Sequence, residues 1–190
     1  MRALATWSGA LAGLLMVLVG GMIPSGMLLP AIESSPKVLD LPSTWQIPAL
    51  LLCALICGPV AGVIASAAYL TIGLFQIPVF HDGGSINYLF SPGFGYLAGF
   101  IPAAWVTGKL SQQRGMNDLL GLTFCSLIGV MLLQACGVLN LVVGCLIGRW
   151  PEQLQELLFN YSIAPFPTQL ALLPPVGMIG LLLKRLLFIE

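Results

Sequence analysis

Charged side chains cut the 190-residue chain into five charge-free windows, at 3–32, 41–80, 83–108, 119–148 and 157–183. Each is long enough to cross a bilayer, since a helical span needs about 20 apolar residues. The first window follows Arg2 and ends among small residues, a pattern shared with secretory leaders, but its apolar core is long, so an uncleaved first span is expected. In the second, the stretch from Trp45 to Phe75 is too long for one upright helix and short for two full ones, with Gly58-Pro59 in its middle. Proline lacks a backbone N–H and clashes with the preceding turn, so the pattern predicts a break there and two short helices. The result is an all-α membrane protein, a single domain over 1–190 built as a compact bundle of six transmembrane helices.

Lysine and arginine gather on the cytoplasmic side of membrane proteins. With six spans and both termini inside, Arg2, Lys109, Arg114, Lys184 and Arg185 lie inside, against Lys37 and Arg149 outside. A five-span layout with an external N-terminus merely exchanges Arg2 with Lys37. In both, residues 76–91 face outward, and the protein is expected in the plasma membrane. That stretch is rich in glycine and proline and interleaves His81, Asp82, Asn87, Tyr88 and, further on, Tyr96. Irregular backbone at membrane depth is tolerated where it is buried in protein or lines a cavity. Two readings stand: a binding loop at the outer rim, whose polar groups orient a small ligand, or an exposed connector whose glycines only turn the chain.

Composition fits the windows: 58% of residues are hydrophobic and 7% charged, against roughly a quarter charged in soluble domains. Net charge is zero, which points to no nucleic-acid partner. Cys53, Cys57, Cys125, Cys136 and Cys145 all lie in apolar runs, where a thiol packs as a small hydrophobe, and no metal site or cofactor is expected.

The segment "PVF", then "GG", then "YL", then "SPGFGYLAGF" resembles the central signature of the BioY family, the biotin-binding S components of energy-coupling-factor (ECF) transporters. Pro78, Val79, Phe80, Gly83, Gly84, Pro92, Gly95, Tyr96, Leu97, Gly99 and Phe100 match the family pattern, while Ser91, Gly93 and Phe94 depart from it. The resemblance implies biotin as ligand, bound on the extracytoplasmic side by residues that include Phe80, Gly83, Gly84, Asn87, Tyr88, Tyr96 and Gln169. Many members carry an acid and, three residues later, a lysine at the start of the last helix; this chain has Gln169 and Leu172. A glutamine amide offers a donor and an acceptor to a ureido group, whereas leucine cannot attract a carboxylate. The ligand's carboxylate then needs Asn87, Tyr88, loop amides or water, and a different vitamin is the alternative ligand.

The only Gly-Lys pair, Gly108-Lys109, has no P-loop around it, and no window holds an ionisable group for a proton or sodium relay. The resemblance implies that a transmembrane coupling subunit and two ATPase subunits drive uptake. Ala5, Gly9 and Gly13 recur every four residues along the first window, and Ala54, Gly58, Gly62 and Ser66 along the second. Such strips let helices approach closely. They serve either internal packing or, as the resemblance implies for the first, docking on the coupling subunit. Residues 24–45 read as a cover over a pocket mouth or as a plain linker anchored by Trp45. Lys184-Arg185 reads as a headgroup anchor. An enzyme is not expected: His81 and Asp82 are sequence neighbours without a second histidine, which leaves a membrane-embedded hydrolase poorly supplied. A self-sufficient facilitator of the same fold remains a third reading.

Overall fold

The computed structural model describes residues 2–29, 37–75 and 86–187. α1 (Arg2–Met22) leads into a two-stranded antiparallel ribbon, β1 (Pro24–Leu29) and β2 (Lys37–Thr44), and then α2 (Gln46–Phe75). A 3-10 turn (Ile86–Phe90), α3 (Phe94–Ala98) and α4 (Phe100–Ser111) precede the long α5 (Leu119–Leu146). The chain ends in α6 (Leu154–Leu158), a π-helical turn (Phe159–Ile163), α7 (Phe166–Ala171) and α8 (Leu173–Leu186).

The break expected at Gly58-Pro59 is present. Gly58 has φ 85° and ψ 178°, a left-handed backbone that a side chain would strain. The two limbs of α2, 46–57 and 59–75, fold back on each other there. A methyl added at Gly62 would stand 3.2 Å from Ala54 Cβ, and one at Gly13 would stand 3.0 Å from Cys53 Cβ and 3.3 Å from Ala65 Cβ. Twelve residues of straight helix would hold Cys53 and Ala65 about 18 Å apart. Gly108 lets α4 cross this reversal, since a methyl on it would lie 2.5 Å from Pro59 N.

α2 is central, with 67% of its most apolar stretch buried, whereas only 28% is buried in α1. Leu4, Trp7, Leu11 and Leu15 form an exposed apolar stripe along α1 at helical spacing. One core cluster joins Leu50, Ala54 and Tyr69 of α2 to Phe100, Ala103 and Ala104 of α4 and Leu133 of α5. A second joins Leu51 and Leu55 to Leu122 and Val130 of α5 and Leu173 and Val176 around α8. α1, α2 and α5 are long and apolar enough to cross a membrane, as is the pair 154–171 and 173–186, bent by 45°, taken as one span.

Two expectations are corrected and one is extended. The bundle is helical as expected, and residues 24–29 and 37–44 add a paired ribbon, Met27 opposite Leu39 and Leu28 opposite Val38. Its register slips between Pro24 and Gly26, across from the part of β2 holding Pro42, which has no N–H to give. Gly9 and Gly13 do not face outward: methyls there would meet Cys57 and Cys53 of α2, leaving Ala5 as the exposed member of that strip. Lys184 does not reach out from the bundle as an anchor either. It is buried, its Nζ donating to Ser111 O at 3.0 Å and Asn117 Oδ1 at 3.1 Å, while Arg185 is exposed.

Candidate functional site

A cavity of about 350 Å³ opens where the ribbon, the start of α2, α3, α5 and α7 meet. Pro24, Ser43 and Thr44 supply the ribbon's part of the wall. Leu97, Phe100 and Leu133 form an apolar floor, and Tyr88, Tyr96 and Tyr161 an aromatic side. Tyr96 and Tyr161 stack with ring centroids 6.3 Å apart and planes 21° from parallel. Among the described lining residues none is charged. A larger groove between α1 and the start of α2, about 450 Å³, is lined by side chains such as Leu15, Met16 and Val19 and lacks amide or charged groups.

The glycines of the signature explain how its irregular backbone is held. Gly95 and Gly99 bring α3 against Asn140 and Cys136 of α5, and Gly137 leaves room for the Tyr96 ring. Asn140 Nδ2 donates to Pro92 O at 3.2 Å. Trp150, seated over Gly144, donates from its indole nitrogen to Phe90 O at 2.7 Å. Side chains thereby satisfy carbonyls that the turn leaves outside any helix.

Four neutral polar residues form a buried relay beside the cavity. The Tyr96 hydroxyl bonds Ser162 Oγ, Ser162 donates to Gln134 Oε1 at 3.0 Å, and Gln134 Nε2 donates to Gln169 Oε1 at 2.8 Å. Gln134, Ser162 and Gln169 are 8%, 9% and 6% exposed. Because Ser162 spends its one proton on Gln134, Tyr96 is the donor to Ser162. Across the cavity wall lies Gln46. Its Nε2 is buried and has no hydrogen-bond partner among the described residues.

Of the expected ligand residues, Tyr88, Tyr96 and Gln169 come together here. Asn87 is exposed and not part of the cavity wall. Phe80, Gly83 and Gly84, like His81 and Asp82, lie outside the described residues. Gln134, Ser162 and Gln46 were not expected, although an amide inside an otherwise apolar helix is a legible sign, since it is costly unless paired.

The BioY family model matches residues 10–187, and the chain belongs to the BioY family. It is therefore a membrane protein, as its apolar helices also require. A probable biotin transporter BioY of Lysinibacillus sphaericus is 34% identical over 102 residues, 54% of this chain and 52% of that one. The biotin transporter BioY of Thermotoga maritima is 36% identical over 74 residues, 38% of this chain and 44% of that one. The chain thus spans about half the length of these two relatives. A crystal structure of the S-component for biotin from an ECF-type ABC transporter superposes with a TM-score of 0.73 at 18% identity, covering 97% of this chain and 93% of that one, which shows a shared fold.

Proposed function

We propose that this protein is the substrate-binding S component of an ECF-type vitamin transporter and that its ligand is biotin. The observation that carries the reading is the cavity itself: it forms at the family signature, is walled by tyrosines, and offers two glutamine amides and no charge among its described lining. Its 350 Å³ falls at the small end of ligand pockets, which run from roughly 300 to 1,000 Å³. The fused-ring part of biotin suits the buried amides, and its carboxylate, lacking a lysine at Leu172, lies toward the water-facing rim.

The bundle makes six passes, counting each limb of α2 and the α3–α4 unit, and sits in the plasma membrane with both termini cytoplasmic. Support for this orientation comes from charge: Lys109, Arg114, Lys184 and Arg185 gather at the pole opposite the cavity. The cavity then faces the outside. A transmembrane coupling subunit and two ATPase subunits complete the transporter, and the exposed face of α1, with Ala5, Ser8 and Ala12, is the docking side.

Calorimetry and thermal unfolding of the purified chain test the assignment. Biotin is expected to bind and to raise Tm, whereas riboflavin and thiamine leave both unchanged; stabilisation by one of those vitamins and not by biotin would replace the ligand.

A further inference from the structure

We propose that the cavity reads its guest through a carbonyl oxygen, because the buried relay fixes Gln169 as a hydrogen-bond donor, and that Gln134 is the residue which sets this polarity. An amide offers one acceptor and two donor hydrogens. The acceptor of Gln169 is already taken, since Gln134 Nε2 donates to its Oε1 at 2.8 Å. Among the described residues nothing occupies Gln169 Nε2, and the residue lines the cavity while 6% exposed. What it presents to a guest is therefore N–H.

The direction is imposed from behind. Gln134 cannot turn its amide over alone, because its carbonyl receives the Ser162 hydroxyl at 3.0 Å and Ser162 is bonded in turn to Tyr96. Reversed on its own, Gln134 would set its carbonyl against that of Gln169, leaving two buried acceptors facing each other without a proton. Gln46 adds a second amide to the cavity wall, its buried Nε2 making no hydrogen bond among the described residues. Two donors and no described carboxylate suit an acceptor, such as the ureido oxygen of biotin, in preference to that ring's N–H groups. This rests on the biotin reading above. Gln134, absent from the cavity wall, acts as a positioning residue: it selects the ligand by orienting Gln169.

The probes are biotin, which has a C=O at the ring carbon, and 2-iminobiotin, which carries a protonated C=NH there and can only donate. Calorimetry on the purified chain is expected to give at least about a tenfold preference for biotin. Gln134→Leu frees Gln169 to turn its carbonyl to the cavity, so the preference should fall at least about fivefold. Gln169→Glu places an acceptor there and should invert it. Taking the ratio of the two affinities cancels losses common to both ligands, which a purely structural role would produce. If Gln134→Leu fails to fold, Ser162→Ala interrupts the same relay and should lower the ratio in the same direction. Equal binding of both probes by the unaltered chain, or an unchanged ratio in the relay variants, overturns the inference alone. Binding of neither probe removes the biotin reading and the inference with it.

Discussion

Gly137 shows how much of the site depends on a missing side chain. A methyl group there would run into the Tyr96 ring, the residue that begins the relay and stacks on Tyr161. Gly137→Ala therefore has to displace either α5 or the tyrosine, an overpacking cost of about 1–3 kcal/mol. The expected outcome is weaker biotin binding by calorimetry together with a lower Tm; an unchanged Kd would show that Tyr96 does not shape the wall a guest meets. At this scale the sequence was readable where type and spacing were distinctive, as at Tyr96, Gly95 and Gly99. It was not readable at Asn87, because placing a residue within a signature does not say which way its side chain turns, and here it is exposed.

Among the elements, the reversal of α2 at Gly58-Pro59 followed from local chemistry, a missing donor beside a residue free to take positive φ. The ribbon did not, since its pairing joins residues on either side of 30–36 and no short turn signal marks it. The α1 strip was ambiguous for another reason: small residues announce a close neighbour without naming it. The neighbour of Gly9 and Gly13 is α2, with Cys53 Sγ within reach of Gly9 O at 3.8 Å. Gly13→Leu should consequently lower the Tm of the isolated chain by forcing α1 off α2, at about 1–3 kcal/mol. Ala12→Leu, on the exposed side, should stay within about 0.5 kcal/mol. Thermal unfolding in detergent compares the two; equal losses would place both faces of α1 in contact with protein.

For the whole molecule, the bundle has two unlike ends. α4 runs from the cavity at Phe100 to Ser111, whose carbonyl receives the buried Lys184 ammonium. Its 12 residues put about 18 Å between the cavity and this cationic pole. The relay was out of reach of sequence reading because its members come from α3, α5, the π-helical turn and α7, and no local pattern links Tyr96 to Gln134 or Gln169. Its composition carries one more consequence. Glutamine amides do not titrate, serine does not ionise at ordinary pH, and tyrosine ordinarily loses its proton only near 10. Biotin Kd measured from about pH 5.5 to 8 should accordingly vary by less than roughly twofold, with a steep dependence pointing to a titrating contact elsewhere. A guest held by such a relay would keep its grip as the surroundings turn acidic.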